Sequence, residues 1–230
     1  SCKNAQQSYS FGFNRESKVP IAAPSANRSG RPSPTEANHV AEDLMGRIPM
    51  ILDGGPCSVG VESTVLDITG EIPNILRPGG ITPKMLEQVV GQVNIDAGVL
   101  KPVEKGVRIK SPGMKYTHYA PEASVVIVKG NLAKTTEKIR ELTNEELRKC
   151  NKVGILATEE TIHCYTEGQV ICLGSRKKPE TLAANLFSAL RKFDEMGVDI
   201  VFAEWVEEKD EGLAVMNRML RAAGFHVIEV

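Results

Sequence analysis

The chain is short of aromatic residues, has an odd number of cysteines, almost no net charge and no long apolar run, and each of these scarcities removes a class of protein. Five cysteines (Cys2, Cys57, Cys150, Cys164 and Cys172) in 230 residues contain no C-x-x-C pair, which speaks against both a disulfide framework and a zinc ribbon. They read as reduced thiols, mostly core filling. Four histidines (His39, His118, His163 and His226) stand singly, with no carboxylate or thiol at a metal-ligand spacing, so a protein-built metal cage is not expected. A net charge of −1 from 28 basic and 29 acidic residues offers no general field for nucleic acid or an anionic membrane. No apolar stretch approaches the ~18 residues of a spanning helix, and SCKNAQQSYSFGFNRESK at the start has no signal-peptide core. The expected compartment is the cytoplasm and the expected partners are small molecules.

What is present falls into two textures. From residue 123 onward strands and helices alternate: SVVIVKG (124–130), an amphipathic helix over 132–149, KVGILA (152–157), QVICLG (169–174), a helix over 179–197, DIVFAEWV (199–206), a helix over 212–224 ending in a glycine suited to a C′ position, and FHVIEV at the end. That order predicts a small doubly wound parallel sheet covered on both faces, with right-handed crossovers. It has neither G-x-G-x-x-G nor a P-loop, so the fold alone assigns it no nucleotide. Its polar residues His163, Asp194, Glu204 and Asn217 have no spacing that implies a site, and this half reads as a structural clamp.

The first half has short apolar runs ending in turns: VPIAAP (19–24), PMILDGG (49–55), VESTVLDI (61–68) and NILRPGG (74–80), with helices at about 34–46 and 83–91. Residues 92–122 are broken by Pro and Gly and read as a linker, so the expected division is 1–91, 92–122 and 123–230, with 1–18 atypical.

The chemistry concentrates in PSANRSGRPSPTE. Pro24 holds the preceding residue extended, Ser25, Asn27 and Ser29 add short polar side chains, and Ser33, Pro34 and Glu36 have the spacing of a capping box. A helix start facing that loop, with Thr35 in its first turn, suits an anion such as a phosphate. Taken alone, such a loop caps a helix more often than it binds a ligand. Two further polar clusters at strand ends change that balance: Ser63 and Thr64 in GVESTVLD, and Arg77, a fork donor, in LRPGG.

The ordered series PIAAPSANRSGRPSPT, DGGPCSVGVESTVLD, ILRPGGIT and SPGMKYTHYAPEA resembles the threonylcarbamoyl-AMP synthases of the YrdC-like superfamily, in their long two-domain form, across roughly 210 residues. The resemblance implies an α/β fold: an incomplete YrdC-like twisted sheet domain followed by a small Rossmann-like domain. It also implies a nucleotidyltransferase that makes threonylcarbamoyl-AMP and pyrophosphate from L-threonine, bicarbonate and ATP for t6A37 modification of tRNA. Mg2+ would accompany ATP, and a downstream tRNA t6A transferase machinery would take the product. Carried over by motif, Asn27, Thr35, Arg77, Tyr116 and His118 would contact ATP, and Ser25 and Ser63 would contact threonine. No catalytic dyad is implied, because adenylating a carbamate demands positioning and charge neutralisation.

The same resemblance implies about a hundred residues before PIAAPSAN, holding a lysine-arginine motif, which this sequence lacks; the chain is therefore expected to be a fragment with little activity. Tyr116, His118 and Tyr119 in the linker are expected to fold over the cleft as a lid. The competing function, an RNA-binding module without adenylation, finds its basic residues Arg28, Arg31, Arg47, Arg77 and Lys84 interspersed with acids and without an aromatic platform, so direct tRNA binding is not expected.

Overall fold

A computed structural model describes residues 15–19, 24–102 and 121–230. Residues 15–17 are helical; the first unit then holds helix α1 (Ala37–Leu44), strands β1 (Val65–Asp67) and β2 (Asn74–Arg77), helix α2 (Pro83–Val90) and strand β3 (Asn94–Ile95). β1 pairs antiparallel with β2, and β3 pairs parallel with β2, giving a small sheet in the order β1-β2-β3. Helix α2 begins as its sequence suggests: Pro83 needs no backbone donor at the first position, and the Thr82 hydroxyl accepts from Met85 N at 3.3 Å. A 3-10 turn at Ala97–Val99 follows β3, with Asp96 accepting from Gly98 N.

The second unit matches its sequence pattern closely. It consists of β4 (Ser124–Lys129), α3 (Leu132–Arg148), β5 (Val153–Ala157), β6 (Gln169–Cys172), α4 (Pro179–Met196), β7 (Ile200–Glu204), α5 (Glu211–Ala222) and β8 (Val227–Glu229). All five strands are parallel, in the order β6-β5-β7-β4-β8. Because successive side chains of a strand face opposite ways, Val126 and Val128 pack with Ile139 of α3 on one face, while Val125 and Ile127 pack with α4 and α5 on the other. The chain leaves α5 through Gly224 at φ 55, the left-handed conformation that a glycine adopts at no steric cost. Among the described residues no helix is long and apolar enough to cross a membrane.

Several expectations are corrected in the first unit. Residues 49–55 form no strand: Met50 and Leu52 stand 70% and 72% exposed, with no neighbouring strand to pair them among the described residues. The run 61–68 is a strand only over its last residues, so Ser63 and Thr64 lie in irregular backbone leading into β1. The capping box does not form. α1 starts at Ala37 with Glu36 at its N-cap and no side-chain cap bond, because the Ser33 hydroxyl is buried and donates to Glu62 instead. The described cysteines do not fill the core: Cys57, Cys164 and Cys172 are half-buried, and Cys150 is exposed in the turn that ends α3. They sit at the margins of elements, where side chains reach solvent.

The two units share a core. Val61 of the first is buried among residues of α4 and α5, and a Cβ on Gly60 would overlap the carbonyl oxygens of Ala183 and Ala184 in α4. The approach of the 60–61 backbone to α4 therefore depends on that glycine.

Candidate active site

The polar loop and the segment 51–57 enclose a cleft of about 230 Å³, whose lining includes Ser25, Ser33, Thr35, Glu36, Asp53 and Cys57. Backbone joins the two walls directly, Cys57 N donating to Thr35 O at 2.8 Å. Thr35 precedes α1 rather than lying in its first turn, and its N–H is taken by His39 Nδ1 at 3.2 Å. Burial, then the nearby Arg191 charge, lowers the His39 pKa. Among the described residues the lining offers hydroxyls and two carboxylates and no Lys or Arg.

Of the residues singled out from sequence, Ser25 and Thr35 meet in this cleft. Asn27 is in the same loop but off the lining. Its Nδ2 donates to the carbonyls of Arg28 (2.9 Å) and Arg31 (3.2 Å), and its Oδ1 is buried without a hydrogen-bond partner among the described residues. Arg77 and Ser63 form a second group: the Arg77 Nε and Nη2 both donate to Ser63 O, at 3.2 and 2.9 Å. This works because the RPGG turn comes very close, and a Cβ on Gly79 would overlap Glu62 O. Tyr116, His118 and Tyr119 lie outside the described residues.

Sequence reasoning missed the charged residues that hold the loop in place. Asp43 of α1 is fully buried and accepts from Arg191 Nη2 of α4 at 2.6 Å, Arg31 Nη1 at 2.8 Å and Arg28 N at 3.2 Å. Burial alone would raise its pKa, but the hydrogen bonds from Arg191 and Arg31 outweigh it and bring the carboxyl down to about 2. Arg191 also donates through Nε and Nη2 to Pro32 O, gripping the loop between Asn27 and Ser33. Further along, Glu62 accepts from Ser33 Oγ at 2.8 Å and from Arg218 Nε of α5 at 2.7 Å. A legible signal existed: Arg191 and Arg218 interrupt the apolar stripes of α4 and α5, and Glu62 interrupts an apolar run. In the second unit Glu204, named from sequence as a polar residue that implies no site, is buried and accepts from Tyr165 Oη and Arg176 Nη2, each at 2.7 Å. Among the described residues no group of three or more His, Cys, Asp or Glu could hold a metal ion.

A small mixed sheet carrying a hydroxyl-rich cleft, backed by an all-parallel five-stranded unit, defines a two-unit α/β protein. The chain belongs to the threonylcarbamoyl-AMP synthase family. The family model described as threonylcarbamoyl-AMP synthase, C-terminal domain, matches residues 81–224, and one described as telomere recombination matches residues 12–79. The chain is 50% identical to a threonylcarbamoyl-AMP synthase of Bacillus subtilis over 93% of its own length and 60% of the relative's. It is 48% identical to one of Pyrococcus abyssi over 93% and 61%. A crystal structure of the Pyrococcus abyssi Sua5 complexed with L-threonine superposes with a TM-score of 0.85 at 46% identity, covering 95% of this chain and 62% of that one. The fold is accordingly a YrdC-like α/β unit followed by a doubly wound parallel unit, and the chain spans about 60% of the length of these curated relatives.

Proposed function

We propose that these residues serve L-threonylcarbamoyladenylate synthesis, in which L-threonine, bicarbonate and ATP give threonylcarbamoyl-AMP and pyrophosphate for tRNA t6A modification in the cytoplasm. The observation that carries the reading is the cleft built from the family's own motifs, Ser25 and Thr35 on its lining, in a chain half identical to named synthases. In this reading Ser25 and Ser63 contact threonine. Asn27, Thr35 and Arg77 serve the nucleotide. Arg77 acts first by fixing Ser63 O.

The chemistry suits such a site. Threonine nitrogen bonds to the carbon of bicarbonate with loss of water, and a carbamate oxygen then attacks the α-phosphorus of ATP and expels pyrophosphate. Both steps gain most from alignment and from exclusion of water rather than from a strong acid or base. Mg2+ fits only as a companion of ATP: Asp53 on the lining would supply a hard oxygen ligand, and the ion's contribution is to neutralise phosphate charge.

The test is an NMR titration with L-threonine against L-valine, its near-isostere without the hydroxyl. A site built to hydrogen-bond a hydroxyl rejects the analogue that lacks it. Threonine should shift the amides of Ser25, Thr35 and Ser63 and valine should not; equal shifts with both would refute the assignment.

A further inference from the structure

We infer that Arg218, on the second unit, is a positioning residue for the cleft of the first, acting through Glu62 on the Ser33 hydroxyl. Glu62 is 6% exposed, Arg218 0% and Ser33 4%, so this chain of charge and hydrogen bond runs out of water from α5 to the cleft wall. Arg218 Nε donates to Glu62 Oε2 at 2.7 Å, and Ser33 Oγ donates to Glu62 Oε1 at 2.8 Å. Ser33 lines the cleft. With its proton committed to the Glu62 carboxylate that Arg218 also grips, the Ser33 oxygen presents lone pairs to the cleft, an acceptor for the amino or hydroxyl group of an amino-acid ligand.

The strut is anchored at both ends. Arg218 Nη1 donates to Asn217 Oδ1 at 2.6 Å, Asn217 Nδ2 to Val99 O, and Arg221 Nη2 to Gly98 O at 2.8 Å, locking α5 against residues 98–99. On the cleft side the three residues of the EST motif are held separately: Glu62 by Arg218, Ser63 by Arg77, and Thr64 by its hydroxyl on Ile81 O at 2.6 Å. A buried ion pair is a poor source of stability, since apolar side chains of similar volume serve as well or better; what it supplies is one geometry. Arg218 is thus part of how the second unit takes part in binding. The ligand half of this inference rests on the threonine reading above; the mechanical half does not.

The experiment compares the chain with Arg218→Met, Arg218→Lys and Glu62→Gln by amide hydrogen exchange and by L-threonine titration. In Arg218→Met, exchange at Thr35 and Cys57 should rise about tenfold and threonine affinity fall about tenfold, while amides of β4, β5 and β7 keep their protection. Glu62→Gln should give the same pattern, and Arg218→Lys, which keeps the charge and loses the fork, should recover most of both effects. The inference is overturned if exchange rises equally throughout β4–β8, or if Thr35 and Cys57 stay protected with threonine affinity unchanged. Should the parent chain bind no threonine, the functional reading fails, and the exchange pattern still decides whether Arg218 governs the cleft wall.

Discussion

Replacing Asp43 by Asn removes one charge from the most completely buried ion pair in the interface and leaves its shape. The Asp43 side chain is 0% exposed and that of Arg191 is 3%, so the guanidinium cannot turn to solvent. Breaking a buried pair from one side costs roughly 3–5 kcal/mol. Arg191 keeps its two bonds to Pro32 O and has Glu42 at 3.6 Å, which places the cost near the low end, about 3 kcal/mol. Arg31 adds little, because at 37% exposure it regains water, and such pairs contribute about 0–1 kcal/mol. The assay is urea denaturation of Asp43→Asn, Arg191→Met and the double variant at neutral pH. The double variant should be more stable than the sum of the single losses predicts, by about 2 kcal/mol, because it strands no charge. Acid gives a second handle. With the folded carboxyl at about 2 and the ordinary value at 3.8, the contribution is complete above the ordinary value and disappears as pH falls from there through about 2. It amounts to about 2 kcal/mol, and Asp43→Asn should lose that part of the acid slope. A loss below about 1 kcal/mol, additive with Arg191→Met, would refute the reasoning.

Gly79→Ala should destabilise the first unit by about 2 kcal/mol and displace Ser63 amide signals, since its Cβ would overlap Glu62 O; unchanged Ser63 shifts would contradict the packing. Glu204→Gln should cost about 3 kcal/mol in thermal unfolding of the parallel unit, because Arg176 and the Tyr165 hydroxyl lose their shared carboxylate, and Tyr165→Phe alone should cost about 1 kcal/mol. Arg77→Ala and Asn27→Ala, made in the chain joined to the stretch of the Bacillus subtilis relative that it does not span, should abolish threonine-dependent pyrophosphate release with far-UV circular dichroism unchanged; retained rates in both would remove them from the site. Below pH 6.5 the neutral, buried His39 should also cost stability, its folded pKa lying under the unfolded one, and a His39→Gln variant should show a flatter pH profile between 5 and 7 in the same denaturation series.

The second unit was legible because its signals are local and redundant: apolar runs of strand length, helices with stripes, and a glycine where α5 ends all agree with the fold. The first unit was not, because its local signals are overruled from a distance. Ser33, Pro34 and Glu36 have the spacing of a capping box, yet a carboxylate at Glu62 takes the Ser33 hydroxyl into a buried charge-assisted bond. The run 49–55 has strand composition without a strand beside it, and composition cannot supply a partner. The motifs located the cleft through Ser25 and Thr35. They did not reveal the arginines behind it, since an arginine in an apolar helix stripe identifies a buried partner only when the partner, 148 or 156 residues away, is known.

The most direct test of the central claim is product formation. The chain, joined to the stretch of the Bacillus subtilis relative that it does not span, is incubated with ATP, Mg2+, L-threonine and 13C-bicarbonate, and the adenylate is analysed by mass spectrometry. The expected product is a threonylcarbamoyl-AMP carrying one heavy carbon, formed in step with pyrophosphate and absent when any one substrate is omitted. Pyrophosphate released at the same rate without threonine or bicarbonate, with no labelled adduct, would contradict it.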